Sequence, residues 1–158
     1  MPLSKIDSDS LNSGVPTRAQ LPAGTVLQVV NTTFPTFVST TSSTESDTGI
    51  NLSITPTSTT SKVVITVNME VGKYGGSAYV RLWLYRNAVN LIRFGGQLAY
   101  TGDSGSNGGT GATVYVDSPN TTSSVNYKVT WANPNNAGTS ELNPSSSVST
   151  ITLMEIAA

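Results

Sequence analysis

Downstream of Gly24 the apolar residues of this chain recur at every second position. In the run KVVITVNMEVG, Val63, Ile65, Val67, Met69 and Val71 fall on one side, while Thr66, Asn68 and Glu70 fall on the other. A period of two is that of a β-strand with one face buried. Comparable runs cover residues 25–30, 37–41, 50–55, 78–85, 89–94, 112–117, 125–131 and 148–156. The pattern predicts eight or nine strands and no helix, and short strands at this spacing with polar turns make a sandwich or a barrel.

The connections fit that expectation. YGGS after Val71 and YRNAVN after Leu84 are short enough for hairpins, and SPNTTSS makes a longer turn. Two loops stand out, TGDSGSNGGTG at 101–111 and NPNNAGTSELNPSSS at 133–147. Long loops of this composition are mobile or functional, so Asp103, Asn107, Asn135 and Asn136 are candidate apical contact residues. Asp103 with Asn107 suits a sugar or an ion; the alternative is an ordinary exposed loop.

Before Gly24 the period vanishes. Leu3, Ile6, Leu11, Val15 and Leu21 are scattered among small polar residues, with Pro2, Pro16 and Pro22 between them. Such a stretch reads as an extended arm. The chain thus divides into an arm, 1–22, and a β-domain, 23–158. Within the β-domain, AYVRLWLYRN places Ala78, Val80, Leu82 and Leu84 on one face and Tyr79, Arg81, Trp83 and Tyr85 on the other. Tyr, Trp and Arg are enriched where subunits meet, which makes the second set a candidate subunit interface; alternatively the rings cover neighbouring strands of the same chain.

Composition narrows the chemistry. Among 158 residues there is no cysteine and no histidine, which removes thiolate and imidazole metal sites, the Cys-His and Ser-His-Asp nucleophile systems, and the commonest general base near neutral pH. The sequence DSDSLNSG begins with the spacing of a calcium loop, but Leu11 occupies the next ligand position and the required glycine is missing. No close carboxylate pair lies on one strand face; Glu70 and Asp117 could approach only across strands. Arg81, Arg86 and Arg93 could form a cationic strip, or pair with local acids such as Glu70. No enzyme, metal or cofactor is expected. With charged residues at 11% and a net charge of −1, no basic face invites nucleic acid. Neither a membrane-spanning apolar run nor a signal-peptide core is present, so the expectation is a soluble protein made in a reducing cytoplasm.

Taken in order, MPLSKIDSDSLNSGVPTRAQLPAGTVLQVV, INLSITPTSTTSKVVITVNMEV, VYVDSPNTTSSVNYKVTWAN and STITLMEI resemble small structural proteins of tailed bacteriophages, of the tail-fibre and head-appendage type. The resemblance spans nearly the whole chain. It implies a non-enzymatic virion component assembled in the bacterial host cytoplasm: a homotrimer of jelly-roll β-sandwich domains bound to capsid or tail proteins by an N-terminal segment. The chain has no shaft repeats, coiled coil or collagen-like tract, which favours a short knob or capsid decoration over a fibre. Ile6, Leu11, Val15 and Leu21 would then be the docking residues of the arm. In the alternative role, a receptor-binding module, the apical loops would read a host surface glycan. The last strand should be paired on both sides, with Ile151 and Leu153 facing one way, Thr152 and Met154 the other, and Glu155 at the exit within reach of water.

Overall fold

The computed structural model describes residues 21–158. Its strands are β1 (Val26–Phe34), β2 (Val38–Thr40), β3 (Ser46–Ile54), β4 (Lys62–Tyr74), β5 (Val80–Arg86), β6 (Val89–Leu98), β7 (Asn107–Asp117), β8 (Val125–Ala132), β9 (Thr139–Leu142) and β10 (Ser149–Ile156). Five antiparallel pairs are nested: β5 with β6, then β4 with β7, β3 with β8, β2 with β9, and β1 with β10. The chain is therefore one long hairpin centred on the turn at Asn87, folded over so that β10 also joins β4 and β8 also joins β5. The result is two antiparallel sheets. Sheet A has the order β1-β10-β4-β7, with β9 and β2 continuing beside the far half of β4. Sheet B has the order β3-β8-β5-β6. A rolled hairpin that distributes its strands in this way is a jelly roll.

The alternating residues are what close the sandwich. Val63, Ile65, Val67, Met69 and Val71 of β4, with Ile151 and Leu153 of β10, face Leu82, Leu84, Tyr127, Val129 and Trp131 of sheet B, and all are buried. Each such side chain contributes about 1.5–3 kcal/mol relative to its exposed state. The turn at the centre of the roll has Asn87 in the left-handed region, φ 50°. Its side chain accepts the Asn126 N–H at 3.0 Å, and its own N–H is donated to Asn126 O at 2.8 Å. That exchange ties the hairpin tip to β8.

Several expectations change. Strand β4 runs on to Tyr74 and leads into the other sheet, so Gly75–Tyr79 is a crossover, and residues 118–124 likewise carry the chain from sheet A to sheet B. The loop at 101–111 gives its second half to β7, which begins at Asn107, and the loop at 133–147 contains β9. Both extra pieces are glycine-rich or only four residues long, too short or too weakly alternating to announce a strand. Ile6, Leu11 and Val15 lie outside the described residues; Leu21 is half-buried at the foot of sheet A. There Gly24 N donates to Ala157 O and Ala157 N to Thr25 O.

Strand β10 is held on both sides, as expected, but Glu155 is not at a wet exit: it is completely buried. The inward parity of Ile151 and Leu153 carries on to it. Its carboxylate accepts hydrogen bonds from Gln28 Nε2 at 2.6 Å, from the N–H and hydroxyl of Thr57 at 2.8 Å each, and from the Ser61 hydroxyl. Burial alone would raise its pKa; those donors outweigh burial and hold it at about 2.

Candidate functional site

Sheet B turns outward the face on which aromatic residues were expected. Tyr79, just before β5, is buried; its ring meets Tyr100 edge-on with centroids 6.0 Å apart, and the Arg81 guanidinium stacks on it at 5.6 Å while donating to its hydroxyl. Trp83 is half-buried between its cross-strand partners Arg93 and Thr130. The pKa of Tyr85 is raised chiefly by its hydrogen bond to Glu45, which also accepts the Thr130 hydroxyl at 2.7 Å. Lys128 lies 3.4 Å from Asp47. Arg81, Tyr85, Lys128 and Thr130 on this face thus find partners within the chain. Arg86, in turn, pairs not with Glu70 but with buried Asp117, at 2.8 and 3.0 Å, and the Tyr127 hydroxyl donates to the same carboxylate at 2.7 Å. Burial first, then this bond, raises the Tyr127 pKa. Glu70 accepts the Thr110 hydroxyl instead. Because Asp117 stands opposite Val63, seven residues along β4 from Glu70, the two acids are roughly 23 Å apart, too far for the dyad a glycosidase needs.

Sheet A has a different outer face. Its register aligns Val29, Met154, Val64 and Val116 in one row across all four strands. The next row is Asn31, Thr152, Thr66 and Val114, and the one after is Thr33, Thr150, Asn68 and Ala112. Val29, Val114 and Val116 are all more than half exposed. Between Lys62 at the foot and Glu70 further up, no outward position carries a charge. The free edges are equally unguarded: neither β1, VLQVVNTTF, nor β7, NGGTGATVYVD, holds a lysine, arginine or proline. Sequence reading missed this face because each strand contributes only one or two of its apolar residues. Val64 and Met154, apolar at outward parity, were the signal available.

The apical loops converge at the other end of sheet A. Lys73, buried, donates its ammonium to Gly76 O at 3.0 Å and Asp103 O at 2.7 Å. Asp103 accepts from the Gly105 N–H and the Thr101 hydroxyl, both at 2.9 Å; these bonds, then Lys73, lower its pKa, so its carboxylate folds its own loop. Asn135 donates to Ser77 O at 2.8 Å, Asn136 is exposed with φ 51°, and Asn107 donates to Ala99 O at 3.2 Å. Of these four, Asn107 borders a cleft of about 410 Å³ whose floor is Gly72 and Gly108, opposite each other on β4 and β7. Glu141 of β9, next to Gly72 in the sheet, enters it, and Phe37 and Ser145 form one rim. A buried hub fixes that rim: Asn143 donates to Phe34 O at 2.6 Å and Thr36 O at 3.0 Å and accepts the Ser149 hydroxyl. Asn143, Ser145 and Ser146 all have positive φ, of 54°, 56° and 63°, backbone strain of the kind found at ligand clamps. Phe37 and Glu141 were not visible as site residues in the sequence, since only the rolled hairpin brings residues 37, 72, 108 and 141 together.

No family model and no curated protein matches this chain. Among solved structures it is similar to the infectious bursal disease virus VP2 subviral particle, at 11% identity and a TM-score of 0.36, over 83% of this chain and 37% of that one. A likeness at that level carries no argument. The strand order stands on its own as the description of the fold, and a fold by itself assigns no function.

Proposed function

We propose that this chain is a non-enzymatic structural protein of a bacteriophage particle, a short knob or capsid decoration that self-associates through the outer face of sheet A. The observation that supports self-association is the uncharged Val, Thr, Asn and Met face with its apolar row, Val29–Met154–Val64–Val116. Loss of charge at the centre of a patch is the compositional mark of an interface, and long edges without lysine or proline are ones that invite a partner. The occupant is a second copy of this chain: four strands by eight residues give a face of about 500 Å² in projection, before its pleats are counted, the order of area one partner contributes to a standard interface.

The particle itself is proposed from the ordered segments that resemble phage appendage proteins, as is the trimer. Residues 1–22 act as the tether, with Ile6, Leu11, Val15 and Leu21 inserting singly into grooves on capsid or tail proteins. Three weakly binding arms on one oligomer raise the effective concentration at the second and third sites. Sedimentation equilibrium of the full chain tests self-association: wild type should be an oligomer and Val116→Lys a folded monomer. A monomeric wild type, or an undisturbed variant oligomer, defeats that part. Deleting residues 1–20 should abolish incorporation into particles while leaving the oligomer folded; normal incorporation of the truncated chain would refute the tether.

A further inference from the structure

We infer that the cleft at the apical end of sheet A is a binding site for an uncharged pyranose, with Phe37 as the stacking platform and Glu141 as the acceptor of two ring hydroxyls. The inference does not rest on self-association: the uncharged rows end at Asn68, and Gly72 lies four residues, roughly 13 Å, farther along β4.

Five features of the cleft lead to this ligand class. Its 410 Å³ falls within the range of small-molecule sites. The floor is tight at Gly72, where a Cβ would come within 3.2 Å of Glu141 Oε2 and Pro144 Cγ and press on both. Phe37 is 55% exposed at the rim, an aromatic face with nothing to cover, and its negative quadrupole suits the weakly positive C–H face of a sugar ring. Glu141 brings a carboxylate, which binds neighbouring hydroxyls through charge-assisted hydrogen bonds, and Asn107, Ser106 and Ser145 add amide and hydroxyl groups around it. Finally, the one ammonium in the lining, Lys73, is fully buried and donates to Gly76 O and Asp103 O. With Glu141 present and that cation committed, the cleft disfavours phosphate and acidic sugars. A metal is not favoured either, because the described residues contain no group of three His, Cys, Asp or Glu side chains that could hold one.

Gly108 provides a clean test. Its φ is not in the left-handed region, and an added Cβ meets only Val71 O, at 3.9 Å, so the backbone accepts a side chain there and Gly108→Leu places bulk in the cleft. The full chain would be titrated with the methyl glycosides of glucose, galactose, mannose and N-acetylglucosamine, and separately with glucuronate and inorganic phosphate, observing backbone amides by NMR. The expected result is saturable shifts at Gly72, Gly108 and Glu141 with at least one neutral glycoside, none of them retained in Gly108→Leu. Phe37→Ala should weaken binding about tenfold, the equivalent of one aromatic contact. The proposal is overturned if no neutral glycoside gives saturable shifts, if shifts survive Gly108→Leu in a protein of unchanged fold, or if glucuronate or phosphate binds better than the neutral sugars. An unchanged sedimentation profile for Gly108→Leu keeps the outcome separate from self-association.

Discussion

The two outer faces of this sandwich both belong to antiparallel sheets, and their chemistry is opposite. On sheet B the outward residues are long, polar or aromatic, and they are tied to one another: Arg81 to Tyr79, Thr130 and Tyr85 to Glu45, Lys128 to Asp47. On sheet A they are uncharged over three successive rows, and most are valine or threonine. An aromatic or an arginine is thus not by itself a mark of an interface, since its own chain can satisfy it. A row of methyl groups lying flat against water has no such internal use.

That contrast can be broken by moving a charge between the faces. Val64→Lys combined with Val116→Lys should shift the association constant by at least about a hundredfold, because two ammonium groups would lose water at the centre of a contact. Trp83→Lys should leave it unchanged, as sedimentation will show; the reverse result would transfer the interface to Tyr79, Arg81, Trp83 and Tyr85. Next in size is Glu155→Gln, predicted to cost about 3 kcal/mol in chemical denaturation, since the new amide turns a donor toward one of the carboxylate's donors. The wild type also carries a pH signature at this residue. Its carboxyl pKa is held at about 2 against an ordinary 4.5, so the associated stability is complete above pH 4.5 and is lost as the pH falls from there toward 2. Glu155→Gln should flatten that acid limb of the stability profile. The smallest effect belongs to sheet B: Lys128→Ala removes an exposed ion pair and should change stability by no more than about 0.5 kcal/mol.

Much of the architecture was legible because burial and alternation coincide. Val63 to Val71 and Ala78 to Leu84 face inward at every residue expected to do so. Legibility ended where a side chain's role depends on a distant strand. Glu155 reads as a water-facing acid until Gln28, Thr57 and Ser61 are brought around it, and β9 is too short to show a period. The cleft could be seen only through Asn107; its platform, its carboxylate and its floor come from four separated segments. The face of sheet A was hidden in another way, since it exists only in register, as one residue from each of four strands.

The nested pairing also governs how this chain can reach its native state. The hairpin at Asn87 closes a two-residue loop, whereas Val26 meets Ile156, 130 positions later (156 − 26). Contacts of such long range are slow to form, because loop closure must be complete before they contribute anything. Zipping outward from the centre, the chain completes sheet A only when β10 slides between β1 and β4. Until that step both neighbours of β10 present open backbone edges, so the interval before β10 inserts is when the protein is most exposed to aggregation.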